Sequence, residues 1–278
     1  MALNLIDTHA HLDFSEFSED QSEVIRRAAA AGVTKIVNAG CDAGHFKSSL
    51  ELAAAHDGVF AAIGYHPHEA VGMMASDQHS IEQNVAIAVG AMSRFVPSKK
   101  LVAIGEIGLD YYRLAPSPSN AQLTVRDLQE KLLVAQLVLA SENTLPVIIH
   151  CREAYPDLLR AIKEFQLKKK IRGVIHCFEG TYEEAVEFVS LGFKISFTGN
   201  LTYERQAGTI KAAKEIPLAD IMIETDCPNL APAPLRGQRN EPAYVEYVCR
   251  RLADIRGAAP EAVAEQTTQN AVDFFKLT

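Results

Sequence analysis

Short apolar runs alternate with longer amphipathic stretches along the whole chain. The runs cover residues 3–7, 35–39, 59–64, 101–105, 146–150, 172–177, 193–198 and 220–225. Each is almost continuously hydrophobic rather than alternating, which predicts strands buried on both faces, as in a parallel sheet covered by helices. Helical signals fall between them. Residues 22–31 are rich in Ala, Arg and Glu and stop at Gly32. Thr181 to Glu184 reads as a capping box ahead of an apolar stretch at 185–191 that stops at Gly192. Residues 123–139 repeat apolar positions at helical spacing, and Pro260 opens a terminal helix running to Phe275. The stretch 115–120 reads as a loop. Eight strand-and-helix alternations predict an α/β fold, a single (β/α)8 TIM barrel spanning residues 1–278 as one domain. A doubly wound open sheet is the alternative.

Composition sharpens this picture in two ways. With 278 residues, 48% of them hydrophobic, the chain can bury a core of barrel size. A formal charge of −8 excludes a broad cationic surface for gripping duplex nucleic acid. Five cysteines without a CxxC pair do not form a disulfide framework, and a reducing interior fits better. The opening MALNLIDTHAH has no basic segment followed by an apolar run, and no stretch reaches the length of a membrane span. The expected location is cytoplasmic, away from membranes, with the chain a monomer.

The polar residues carry the chemistry, because barrels gather reactive groups where strands end and loops begin. The first apolar run leads into Asp7-Thr8-His9-Ala10-His11, the fourth ends at Glu106, the fifth at His150, the sixth at His176 and the eighth at Glu224-Thr225-Asp226. His9 and His11 leave an extended segment on one face and form a chelating pair. Taken singly, each of these residues reads as a hydrogen-bonded structural group or a loop polar. Together, His9, His11, Glu106, His150, His176 and Asp226 place six N and O donors at five strand ends. Imidazole with carboxylate and no thiolate suits divalent ions such as Zn, Mn or Fe, and a carboxylate can bridge two of them. Two ions about 3.5–4 Å apart can clamp the attacking and leaving oxygens of a phosphodiester.

The motifs DTHAHLDF, GYHPH, GEIGLDYYR, PVIIHCREA, GVIHCFEG, ISFTGNLTY, ETDCPNLAP and RGQRNEP occur in that order, followed by a terminal NAVDFF. Together they closely resemble the TatD family of metal-dependent deoxyribonucleases, over essentially the whole chain. The resemblance implies an amidohydrolase-type barrel and 3′→5′ exonuclease activity on DNA with two divalent ions, Mg²⁺ or Mn²⁺ for activity and Zn²⁺ also compatible. By motif, His9, His11, Glu106 and Asp226 would hold one ion, and Glu106, His150 and His176 the other, with Glu106 bridging. Asp226 and Glu106 would then be the catalytic carboxylates and His66 a phosphate contact. Cys227 and Cys151 depart from the usual motif residues. Each follows a ligand by one position and is expected to point away from the metals.

Around this core, Arg113, Arg152 and Arg236 are candidate phosphate contacts, each with a solvated surface arginine as its plain alternative. Tyr111 and Tyr112 could stack a base, with one of them expected in the core. The five cysteines are expected to behave as buried small hydrophobes, and Lys168 to Lys170 as a solvated turn at the barrel's bottom. The leading function is a two-metal phosphodiesterase acting on single-stranded DNA ends. A metal-dependent ester or amide hydrolase, such as an aminoacyl-tRNA deacylase, uses the same metals. A non-catalytic scaffold would need none of the six ligands.

Overall fold

The computed structural model describes residues 3–75, 79–112, 114, 120–203 and 207–278. Eight parallel strands pair strictly in chain order: β1 (Leu5–Ala10), β2 (Val33–Gly40), β3 (Val59–Ile63), β4 (Leu101–Asp110), β5 (Val147–Arg152), β6 (Gly173–Ile175), β7 (Lys194–Phe197) and β8 (Ile221–Ile223). Helices connect them: α1 (Gln21–Ala30), α2 (Ala43–Ala55), α3 (Glu69–Ala75), α4 (Ile81–Ser93), α5 (Asn120–Glu142), α6 (Tyr155–Gln166), α7 (Tyr182–Ser190), α8 (Ala207–Glu215), α9 (Val245–Arg256) and α10 (Pro260–Phe275). The fold is thus the expected barrel of the TIM type, and the open-sheet alternative falls away. Among the described residues, no helix is long and apolar enough to cross a membrane. Of the expected loop at 115–120, only Asn120 is described, where it opens α5.

The local signals act as their chemistry dictates. Thr181 and Glu184 close a reciprocal capping box on α7, and Gly192 takes a positive φ of 83° just past its end. A second capping box, Ser80 with Gln83, starts α4. Lys168 and Lys169 lie in the turn between α6 and β6.

Two apolar layers hold the barrel. One fills the space between strands and helices. The other fills the barrel's lower interior with Ile6, Val37, Val102, Ile148, Val174 and Met222, and Phe274, Phe275 and Leu277 close its floor from the end of α10. Above that floor the interior turns polar. Thr8 and Ser196 donate from their hydroxyls to the Glu224 carboxylate, which is 1% exposed. These side chains are satisfied by one another, as buried polar groups must be.

The apolar runs locate the strands but not their upper ends. β4 was expected to stop at Gly105; it continues through Glu106 to Asp110, and β5 continues past His150 to Arg152. His9, Glu106 and His150 therefore lie inside strands rather than at their ends. Backbone pairing does not require apolar side chains, so it persists where the hydrophobic run has stopped. Gly108 makes this extension possible: a Cβ there would meet the His150 carbonyl at 1.9 Å.

The seam between β8 and β1 closes differently. It has a single bridge, Ala10 to Cys227, flanked by the Asp226 N–H donating to the His9 carbonyl and the His11 N–H donating to the Cys227 carbonyl, both at 2.9 Å. Below them the Asp7 carboxylate replaces a backbone acceptor, receiving the Thr225 N–H at 2.9 Å and the Thr225 hydroxyl. Asp7 is fully buried. Burial pushes its carboxyl up to about 8, against the pull of the Thr225 hydrogen bonds.

This shift has a testable sign. Unfolded, Asp7 titrates near ~3.9, whereas folded it does so at about 8. Across that window the folded chain keeps a proton that the unfolded chain has released, so stability falls as pH rises. Asp7→Asn cannot release a proton. In urea titrations with chelator, the variant should therefore gain on the parent steadily between pH about 5 and about 8.5. A gap that does not change with pH would mean that Asp7 is ionised in the fold.

Candidate metal centre

Glu106 enters the barrel from β4, 3% exposed, and each of its carboxylate oxygens faces a different set of imidazoles. Oε2 lies 3.3 Å from His9 Nε2 and 3.8 Å from His11 Nε2. Oε1 lies 2.7 Å from His176 Nε2, 2.8 Å from His150 Nδ1 and 3.3 Å from His66 Nε2. Asp226 completes the first set, its Oδ1 3.2 Å from His11 Nε2 and 3.6 Å from His9 Nε2. The structure thus brings together all six residues expected to bind metal, and it divides them about Glu106 into two groups.

The rings are held from behind. His11 Nδ1 donates to the Ala39 carbonyl at 2.8 Å, His176 Nδ1 to Glu224 at 3.2 Å, and His150 Nε2 to Asp110 at 3.1 Å. Each contact leaves the opposite ring nitrogen facing inward, the arrangement by which outer carboxylates and carbonyls orient metal-binding histidines. His9 is the exception, with a buried Nδ1 that has no hydrogen-bond partner among the described residues. Its Nε2 lies 3.1 Å from His11 Nε2. Two imidazole nitrogens that close, with carboxylate oxygens beside them, suit a shared cation better than a hydrogen bond. The donor set of imidazoles and carboxylates fits divalent ions.

Electrostatics point the same way. Burial works against charge on Glu106, but the His176 and His66 imidazoles and the His150 hydrogen bond outweigh it and hold the carboxyl well below its ordinary value. Burial and the neighbouring His176 lower His9, and burial lowers His66 to about 4, so both are neutral at pH 7. For His150 and His176, burial pulls downward as well. Asp110 and Glu106 outweigh it at His150, and Glu106 and Glu224 at His176, raising both.

Three residues in or beside the candidate ligand set stand in the left-handed region: Glu153 at φ 54°, Cys177 at 43° and Asp226 itself at 57°. Each lies at a strand exit beside the site, where such strain collects when surrounding contacts enforce it.

Five of the six candidate ligands, all but the fully buried His9, line the floor of a bowl of about 560 Å³, whose wall includes His66, Arg152 and Glu179. Of the expected phosphate contacts, His66 thus lies with the second ligand group and Arg152 on the wall. Arg236 is exposed on the loop after β8, its guanidinium 4.8 Å over the Tyr203 ring, and it is not part of the bowl. Arg113 lies outside the described residues. Tyr111 is buried and Tyr112 is 53% exposed.

Several residues of the site carried no sequence signal. From the sequence Asp110 has no role and Glu224 only marks the end of the eighth strand, yet both face rings of candidate ligands, Asp110 at His150 and Glu224 at His176. His68 shares Asp110 with His150, at 2.8 Å from the same oxygen. Cys41 was expected to be an inert buried thiol. Its Sγ instead lies 3.6 Å from both His11 Nδ1 and Glu106 Oε2, although burial pushes the thiol up to about 12. Cys227 is fully buried as expected, while Cys151 lies on the bowl wall.

Comparison with known proteins agrees with this geometry. The model of the family described as "TatD related DNase" matches residues 6–276. A Bacillus subtilis protein described as the uncharacterized metal-dependent hydrolase YabD is 38% identical over 273 residues, covering 98% of this chain and 99% of the relative. The Pantoea ananatis 3′-5′ ssDNA/RNA exonuclease TatD is 34% identical over 279 residues, covering 98% and 100%. The crystal structure of YjjV, a TatD homologue from Escherichia coli K12, superposes with a TM-score of 0.85 at 33% identity, over 99% of both chains.

Raised imidazoles hold protons that a metal must displace. Metal affinity should therefore climb as pH rises from about 6 to about 8, with protons released on binding. Calorimetry of Mn²⁺ binding in buffers of different ionisation enthalpy counts those protons. A count of zero would show that the ligand rings are already neutral.

Proposed function

The chain belongs to the family of TatD-related DNases and is a metal-dependent hydrolase; on that premise we propose that it trims single-stranded DNA stepwise from the 3′ end. One observation carries the hydrolytic part of this reading: a single buried carboxylate, Glu106, turns one oxygen to each of two imidazole groups. That is the layout of a bridging ligand between two cations. His9, His11, Glu106 and Asp226 would hold one, and Glu106, His150 and His176 the other.

When bound, the two ions supply Lewis-acid polarisation of the phosphodiester and ease deprotonation of the attacking water. The chain's own residues do the rest. Asp226 lines the bowl beside His9 and His11 and accepts the proton of the attacking water. The water oxygen joins phosphorus, and the bond from phosphorus to O3′ of the penultimate nucleotide breaks with its electron pair going to O3′, which takes a proton from solvent; a 5′-mononucleotide leaves and the strand ends in a 3′-hydroxyl. His66 Nδ1 accepts the His68 N–H, so its Nε2–H, 3.3 Å from Glu106 Oε1, would be the donor that turns to a phosphate oxygen. Arg152, on the rim, supplies a full positive charge.

Two considerations support a strand end as substrate. The bowl's 560 Å³ is the size of a small-molecule site, not of a duplex groove. Net charge −8 offers no extended cationic track. The 3′ polarity comes from relatives such as the Pantoea ananatis exonuclease.

EDTA should abolish activity on a 5′-labelled oligonucleotide, and Mg²⁺ or Mn²⁺ should restore it; full activity in verified metal-free protein would rule out the two-ion reading. A circularised copy of the same strand should resist attack, and cutting of the circle at the linear rate would identify an endonuclease instead. Asp226→Asn preserves size and tolerates the left-handed backbone at that position. It should lower the rate at least about a hundredfold with the circular dichroism spectrum unchanged. A near-normal rate would place the base elsewhere.

A further inference from the structure

β4 and β5 pair to their final residues. Asp110 lies opposite Arg152, and the Tyr111 N–H donates to the Arg152 carbonyl at 2.9 Å. The Tyr112 N–H in turn donates to the Asp110 carboxylate at 2.9 Å. The backbone just beyond the ligand-bearing strands is therefore tied by hydrogen bonds to the ends of both strands. Tyr111 turns into the core, while Tyr112 emerges at the surface. There the Arg152 guanidinium carbon lies 3.5 Å from the centre of the Tyr112 ring, a close cation–π stack. Among the described residues Arg152 makes no ion pair, so its charge is not consumed within the fold. Neither side chain contributes to the core, although both are positioned by the most extended strand pairing in the barrel.

The stack stands on the ridge between two hollows. On one side is the metal bowl. On the other is a side cavity of about 610 Å³, and Arg152 and Glu179 border both. The side cavity sets Glu153, Glu179 and Glu184 against Arg152. Glu179 already accepts from Asn200 and Glu184 from Thr181, so it is Glu153 and the remaining carboxylate oxygens that disfavour phosphate and offer acceptors to the amino and imino groups of a base. Phosphate is favoured on the bowl side and a planar polar ring on the other, with a planar stack at the boundary.

We propose that the Tyr112–Arg152 stack is a nucleobase platform: the base attached to the phosphate held in the bowl packs on it and reaches into the acidic side cavity. This rests on the nuclease reading and adds a subsite to it. Because every base has a π-face, the platform accepts all four bases and discriminates against a sugar phosphate without one.

The test uses the full-length metal-loaded protein and compares binding of dAMP with binding of 2-deoxyribose 5-phosphate by calorimetry. The parent should bind dAMP at least about fivefold more tightly, the lower end of what stacking one base contributes. Tyr112→Ala should bring dAMP down to the affinity of the sugar phosphate, whereas Tyr112→Phe, which keeps the ring, should retain the preference. Equal binding of the two ligands by the parent would overturn the platform and leave Arg152 as a phosphate contact alone. A uniform loss of both ligands in Tyr112→Ala would also overturn it, by showing that the ring only supports the bowl. The nuclease reading fails on a different result, namely no cleavage of oligonucleotides by a parent protein that still prefers dAMP.

Discussion

One buried carboxylate organises the upper half of this barrel. Glu106 sits where apolar packing has ended and no water is needed to satisfy it, because imidazoles from several strands converge on it. An isolated carboxylate at that depth would cost several kcal/mol. Here the cost is offset only if those rings stay in place, and His11, His150 and His176 are fixed from behind, while His9 is not. Ala39, Asp110 and Glu224 do that work, and Glu224 is itself satisfied by Thr8 and Ser196. The polar interior is thus a sequence of dependencies, running from the hydroxyls above the apolar floor to the oxygen atoms at the centre.

The same logic explains what could be read without a structure. Strand number, order and class follow from apolar runs, since a strand buried on both faces must be apolar through most of its length. The six candidate ligands stand out because His and carboxylate side chains interrupt those runs at equivalent heights. The upper reaches of β4 and β5 were not legible. Their pairing is carried by backbone groups, which residue type does not report, and by the close approach at Gly108. Nor could Asp110, His68 and Cys41 be placed, because their roles depend on which ring nitrogen or oxygen they meet across the barrel. Arginines were the least legible. Arg152 and Arg236 look alike in sequence, yet only Arg152 reaches the bowl, and each lies against a tyrosine.

Closure of the barrel has a further consequence. The hydrogen bonds that join the last strand region to the first involve the ligands themselves, through the His9 carbonyl, the Asp226 N–H and the His11 N–H. His11 and Asp226 are 215 positions apart along the chain. Contacts of such separation form late, after the loop they close has been ordered. During synthesis, the first candidate set is therefore incomplete until most of the polypeptide has emerged and the eighth strand has docked against the first. A chain that stops short of β8 still carries His9, His11 and Glu106 but lacks Asp226. Completion of the first candidate set is in this way timed to completion of the fold, because Asp226 arrives with the last strand.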